Sequence, residues 1–176
     1  MKTEYLLNRE VDLVLSALTP ENRIVMRTAF ATGLRISDVL SLRTEQLKPH
    51  FWVTEKKTGK RKQVGLPEPL LSDIKKQAGI EWAFPGRSGE KPRTRQAVWK
   101  DVKRAAKAFR IPQNVAPHSA RKVYAVDLMQ KYADLDRVKK ALNHSNTATT
   151  LIYAAADLQL EAKNRRRRAR AGRKSS

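Results

Sequence analysis

Two side chains near the end of the chain could do chemistry. His144 and Tyr153 stand nine positions apart in the stretch ALNHSNTATTLIYAAADL, residues 141–158. A tyrosine hydroxyl can act as a nucleophile and form a covalent intermediate. The alternative is a helix–turn–helix corner in which the two rings are incidental.

Other polar segments carry residues that a hydrophobic core does not explain. Besides LNHS and TLIYA in that stretch, they are TGLRISDVLSL at 32–42, EKKTGKRKQVGLP at 55–67 and APHSARKVY at 116–124. Along the chain they give an arginine, a lysine on a basic turn, His-x-x-Arg, a second histidine and then a tyrosine. The spacing of three places His118 and Arg121 on one face of a predicted helix.

This ordered set resembles the catalytic domain of the tyrosine recombinases, also called phage integrases, over roughly residues 8–158. The order of all five segments carries the resemblance, and the chain is similar in size to the fimbrial inversion recombinases. The implied fold is α+β and mostly helical, with a small antiparallel β-hairpin packed on a helical core. We expect that catalytic domain over 1–162 and a basic, disordered tail over 163–176.

The resemblance implies that DNA is cut and rejoined by transesterification, without metal, ATP or any other cofactor. A tyrosyl phosphoester conserves the bond energy for resealing. Charge grows on the non-bridging phosphate oxygens in the transition state, and planar guanidinium groups are suited to hold them.

Six positions match the family's catalytic residues: Arg35, Lys57, His118, Arg121, His144 and Tyr153. The resemblance implies that the tyrosine forms a 3′-phosphotyrosyl link and that the lysine protonates the 5′-oxygen. The arginines and histidines then hold the phosphate. Asp38 stands at the family's usual acidic position, with an orienting or capping role.

The sequence departs from the family pattern in places. Ala120 and Lys122 flank Arg121 where leucine and histidine are usual, and Asn143 replaces the glycine of Leu-Gly-His-Ser. Asparagine is the next-best residue for a left-handed turn. Of the other tyrosines, Tyr124 is interpreted as a packing residue in the helix that carries Arg121.

The hairpin lysine has an alternative interpretation as part of a basic tip that contacts phosphates. The other basic residues of that tip are Lys56, Lys60, Arg61 and Lys62. In the tail, the predicted backbone-gripping residues are Arg165, Arg166, Arg167 and Arg168.

Charge and composition limit the functional classes. The 176 residues include 37 Lys and Arg against 17 Asp and Glu, a net charge of +20, which favours a polyanionic partner. Double-stranded DNA is the predicted partner. There is no cysteine, the three histidines are scattered, and no apolar run approaches the ~20 residues of a membrane span. We therefore expect no metal site, no membrane association and a cytoplasmic location.

The resemblance also implies a homotetramer acting on two DNA sites. Two alternatives remain open: an accessory protein of the same fold that binds DNA without cutting it, and a type IB topoisomerase-like enzyme that relaxes supercoils.

Capping residues predict the helices that must position the site. We expect a helix capped by Asn8, and a second that begins at Thr19-Pro20 and ends at a left-handed Gly33. Ser37 is the predicted cap of the next helix.

Further along, 51–66 predict a hairpin with a glycine turn, and PEPLLSDIKKQA predicts a helix. Residues 81–92 are predicted as loop or edge strand. The segment TRQAVWKDVKRAAKAF predicts a helix whose buried stripe is Val98, Val102, Ala105 and Phe109. Two more helices are expected in PHSARKVYAVDLMQKY and DLDRVKKAL.

Overall fold

A computed structural model of the chain describes residues 6–142, which divide along the chain into two compact units between Tyr124 and Ala125. The first unit contains α1 (Asn8–Ala17), α2 (Pro20–Thr32), α3 (Ile36–Val39), β1 (His50–Thr54), β2 (Arg61–Gly65), α4 (Glu68–Gln77) and α5 (Arg95–Ala108). Helix α6 (Ser119–Tyr132) spans the boundary, and α7 (Leu135–Ala141) belongs to the second unit. The predicted mostly helical α+β class is confirmed. The predicted boundary at residue 162 lies outside the described residues.

The two strands form the predicted antiparallel hairpin, with Phe51 opposite Val64 and Val53 opposite Lys62. Both strands alternate between exposed and buried positions. Phe51, Val53 and Val64 enter the core of the first unit together with residues of the helices. One face of the hairpin is therefore packed on the core, and residues 56–60 of the hairpin turn are exposed.

Helix α2 begins and ends where its sequence predicts. Thr19 precedes it, Pro20 is its first residue, and Gly33 follows it in the left-handed conformation with φ 62°. The first helix starts at Asn8 with Leu7 as its cap, one residue before the predicted cap. Ser37 as a helix cap is wrong: α3 starts at Ile36, so the capping position falls on Arg35.

Helix α5 has most of its predicted buried stripe. The side chain of Thr94 caps it by accepting a hydrogen bond from the Ala97 amide, and Val98, Val102 and Ala105 are buried. Phe109 is 41% exposed, so its predicted burial is wrong. The helix ends at Ala108, and Phe109 has a non-helical backbone that takes its ring out of the stripe.

A buried carboxylate fastens α5 to the start of α2. Asp101 Oδ2 accepts hydrogen bonds from the Thr19 amide at 2.9 Å and from Asn22 Nδ2 at 2.8 Å. Burial alone would raise the pKa of Asp101, but the hydrogen bonds from Asn22, Thr19 and Arg104 outweigh it and lower the pKa. A carboxylate at a helix N-terminus also faces the positive end of the helix dipole.

Across residues 6–142, no helix is both long enough and apolar enough to cross a bilayer.

Replacing Gly33 by alanine is expected to lower the free energy of unfolding by about 2–4 kcal/mol. A Cβ there would lie 2.2 Å from Tyr124 Cδ1, and the positive φ adds strain. Gly89→Ala is the matched control, because Gly89 also has a positive φ but has nothing within 4 Å of an added Cβ. That control should lose only about 1 kcal/mol in urea denaturation. Equal losses in the two variants would contradict the packing of Tyr124 on Gly33.

Candidate active site

Arg121 enters the interior at the first turn of α6 and is 1% exposed. Its Nη1 donates a hydrogen bond to the carbonyl oxygen of Gly33 at 2.5 Å. Gly33 closes α2, where carbonyl groups lack partners within the helix and the helix dipole is negative. The end of α2 is therefore a favourable place to bury a guanidinium group.

Lys62 occupies the same helix end from the other side. It points inward from β2, and its Nζ donates to the carbonyl oxygen of Thr32 at 2.6 Å. The ammonium also lies 5.1 Å from the centre of the Tyr124 ring. Burial lowers the pKa of Lys62 to about 8, and the positive charge of Arg121 acts in the same direction while Glu55 opposes it.

Glu55 supplies the negative charge between the two arginines. It follows β1, is completely buried, and its Oε2 accepts a hydrogen bond from Arg35 Nη1 at 2.6 Å. Its Oε1 lies 3.7 Å from Arg121 Nη1. Burial would raise the pKa of Glu55, but hydrogen bonds from Arg35 and Thr58, together with both arginine charges, hold it below its ordinary value. Glu55 is therefore ionised at neutral pH.

Arg35 differs from Arg121 in its access to solvent. It is the residue before α3, and its side chain is 20% exposed. Asp38, in α3, is buried, and its Oδ1 accepts a hydrogen bond from the amide of Lys56 at 3.0 Å. Asp38 thus binds the start of the hairpin turn.

His118 lies in the turn just before α6, and its carbonyl accepts a hydrogen bond from the Arg121 amide. Its side chain is exposed at the surface. Partial burial still lowers its pKa, and the positive charges of Arg121, Lys122, Arg35 and Lys57 lower it further. The imidazole is therefore neutral at pH 7, and these four cations lie close enough to influence it.

An open groove of about 320 Å³ adjoins His118. Arg95, Gln96 and Trp99 from the first turns of α5 line it. Trp99 is 48% exposed, which is unusual for a large aromatic side chain.

The predicted basic tip divides into two environments. Lys56, Lys57, Lys60 and Arg61 are exposed, whereas Lys62 is 8% exposed. The structure thus places Lys57 on the exposed turn and buries Lys62 away from the other four residues.

Among the predicted catalytic residues, Arg35 and Arg121 both face Glu55, and the charges of Arg35, Arg121 and Lys57 act on His118. His144, Tyr153 and the tail arginines at 165–168 lie outside the described residues. Tyr124 packs on Gly33, as expected for a residue with a structural role.

Neither the role of Glu55 nor the burial of Lys62 was predicted from the sequence. The signal that could have revealed them is the strand period of two. Phe51 and Val53 point inward, so the next inward position is 55; Val64 points inward, so 62 does as well. The many charges of EKKTGKRK concealed that alternation.

The described cluster can bind an anion that approaches the surface near Arg35 and His118. It presents a partly exposed guanidinium beside an exposed imidazole, with a second guanidinium held behind them. Planar guanidinium groups match phosphate oxygens in pairs of hydrogen bonds. The site is thus suited to a phosphodiester at the surface of a large substrate.

Comparisons with known proteins identify the family of the chain. Residues 4–159 match the model of the phage integrase family, so the chain belongs to that family. A tyrosine recombinase of Thermosipho africanus is 31% identical over 159 residues, which cover 85% of this chain and 56% of that protein. The chain spans about half the length of the first curated relatives it matches.

Solved structures show the same fold. The XerH site-specific recombinase bound to its palindromic difH substrate matches with a TM-score of 0.72 at 22% identity, over 87% of this chain and 49% of that one. The catalytic domain of bacteriophage HP1 integrase matches with a TM-score of 0.65 at 20% identity, over 88% of this chain and 89% of that one. The fold is therefore that of a tyrosine recombinase catalytic domain.

The stability of the protein should rise with pH as Lys62 loses its proton. The unfolded lysine keeps its proton to about pH 10.5 and the folded one to about 8, so the unfolded state binds more protons between these values. Relative to Lys62→Met, the wild-type free energy of unfolding should increase across this window by at most about 3 kcal/mol. Urea denaturation at several pH values measures the difference, in which the exposed lysines cancel. A difference that does not change with pH would contradict the burial of a charged Lys62.

Proposed function

We propose that the chain cuts and rejoins double-stranded DNA as a site-specific strand transferase. The observation that carries the proposal is the pairing of Arg35 and Arg121 on the carboxylate of Glu55, beside His118 and the turn that carries Lys57. Family membership supports the same conclusion.

In the proposed reaction the Tyr153 oxygen attacks a backbone phosphorus, and the bond from phosphorus to the 5′-oxygen breaks. The products are a 3′-phosphotyrosyl link and a 5′-hydroxyl group. Lys57 gives its proton to the leaving 5′-oxygen, and the phenol proton passes to a base, for which the neutral His118 is a candidate. Religation reverses these transfers on a new 5′-hydroxyl.

The phosphate is held by charge. Arg35 reaches it from the surface and Arg121 from the interior, with His118 and His144 adding hydrogen bonds. Glu55 holds Arg35 and Arg121 in place before the substrate arrives, so these two residues need little reorganisation as charge develops on the phosphate oxygens. No step of this proposal requires a metal ion.

Double-stranded DNA is the proposed partner, and four protomers on two DNA sites are the proposed assembly. The XerH complexes with the difH substrate support DNA as the ligand of this fold. The exposed Lys56, Lys60 and Arg61 and the tail residues 165–168 would contact the DNA backbone. Such contacts make binding strongly salt-dependent.

Tyr153→Phe should abolish covalent capture of DNA while leaving binding nearly unchanged. The change removes only the attacking oxygen. A nicked duplex carrying the cognate site traps the cleaved state, because the short strand beyond the cut diffuses away. The adduct is then read on a denaturing SDS gel, and binding by a mobility shift.

Tyr132→Phe is the matched control and should form as much adduct as the wild type. An adduct that persists in Tyr153→Phe would overturn the assignment of the nucleophile. A wild-type adduct combined with relaxation of a supercoiled plasmid, but no exchange between two sites, would indicate the topoisomerase alternative.

Lys57→Ala should lower the rate of adduct formation by ~100-fold or more, the usual range for loss of a general acid. A substrate with sulfur in place of the bridging 5′-oxygen should restore the rate, because a thiolate leaves without protonation. Lys60→Ala is the control, since Lys60 is an equally exposed lysine of the same turn. If sulfur does not rescue Lys57→Ala, the lysine contacts phosphate and does not protonate the leaving group.

A further inference from the structure

Glu55 is a completely buried charged residue of the site, and the mechanism proposed above gives it no chemical role. Its relative exposure is 0%. An ionised carboxylate in such a place must be matched by charge and hydrogen bonds. The identity of those partners indicates what the residue does.

The partners of Glu55 join two parts of the site. Oε2 accepts one hydrogen bond from Arg35 Nη1 at 2.6 Å and another from Thr58 Oγ1 at 2.9 Å. Arg35 is a proposed phosphate ligand, and Thr58 directly follows the proposed general acid Lys57. A single oxygen atom therefore connects the arginine to the lysine-bearing turn.

The backbone of Glu55 closes the same turn. Its amide donates to the Lys60 carbonyl at 3.0 Å, and its carbonyl accepts from the Gly59 amide at 2.8 Å. Asp38 holds the Lys56 amide at 3.0 Å. The backbone is thus fixed on both sides of Lys57, while the lysine side chain itself is exposed.

We propose that Glu55 is a positioning residue that sets the general acid Lys57 relative to the phosphate ligand Arg35. This inference rests on the proposed function. Residues 56–60 of the turn are exposed and rich in like charges, so they would not otherwise keep a fixed place. Glu55 connects that turn by hydrogen bonds to Arg35, the proposed phosphate ligand.

The competing interpretation is that Glu55 only compensates the buried charge of Arg121 and Lys62. Replacing Thr58 distinguishes the two interpretations. Thr58 is exposed, and its hydroxyl donates a hydrogen bond to Glu55 Oε2 at the hairpin turn. Removing this hydroxyl loosens the turn and leaves the charges of the cluster in place. Charge compensation alone would be insensitive to it.

The test measures single-turnover adduct formation by Glu55→Gln and Thr58→Ala on the nicked duplex, with either oxygen or sulfur at the 5′ bridging position. With oxygen, Thr58→Ala should be slower by about 10-fold and Glu55→Gln by ~100-fold, since a displacement of about 1 Å can cost that much. With sulfur, Thr58→Ala should return to within about 3-fold of the wild type, because no acid is needed. Glu55→Gln should recover only in part, because Arg35 also loses its carboxylate.

The matched controls are Thr54→Ala and Glu45→Gln, which change exposed residues of the same types and should cleave both substrates normally. Circular dichroism establishes that each variant is folded; if Glu55→Gln is not, Thr58→Ala decides alone. A Thr58→Ala variant that cleaves the oxygen substrate at the wild-type rate, or that is equally slow on both substrates, overturns the inference. A wild type that forms no adduct on either substrate overturns the proposed function itself, and the inference with it.

Discussion

Everything at the site depends on how positive charge is buried at the end of helix α2. Arg121 is almost completely enclosed, and Lys62 is nearly so. Enclosed cations are costly unless they are paired and hydrogen-bonded. The Gly33 and Thr32 carbonyls meet this need from one side, and the Glu55 carboxylate meets it from the other. Without these partners, neither the approach of α6 to α2 nor that of the hairpin would be favourable.

The balance of charge explains why one arginine is enclosed and the other is not. Glu55 faces both guanidinium groups, so the carboxylate keeps two like charges near each other without a substrate. Arg35 remains partly open to solvent because it precedes the short helix α3 at the surface of the first unit. The result is a cluster suited to an anion, in which Arg121 is the buried donor and Arg35 the accessible one. The neutral imidazole of His118 belongs to the same cluster.

Local sequence signals predicted much of this framework correctly. They failed where contacts with residues distant in the sequence determine whether a side chain is buried. Pro20 and Gly33 mark α2 correctly because their backbone preferences act within one turn of the chain. Phe109 looked buried because its spacing continued a stripe, but the helix ends one residue earlier. Lys62 was predicted to lie at the surface because four basic or turn residues precede it in a charged segment. Its contact with Thr32 depends on the tertiary structure. His118 and Arg121 were predicted as a pair, yet the turn before α6 leaves one exposed and encloses the other.

The contacts at the end of α2 also set an order of events during synthesis. Lys62, which binds the Thr32 carbonyl, is synthesised 30 residues after Thr32. Arg121, which binds the Gly33 carbonyl, is synthesised 88 residues after Gly33. At the usual 5–20 residues per second, the second interval lasts roughly 4 to 18 seconds on the ribosome. For most of that interval, after residue 55 has been made, the nascent chain has Arg35 and Glu55 but not the guanidinium group of Arg121. The cluster of Arg35, Glu55 and Arg121 is thus complete only after Arg121 has been synthesised, and an unfinished polypeptide lacks this inner positive charge.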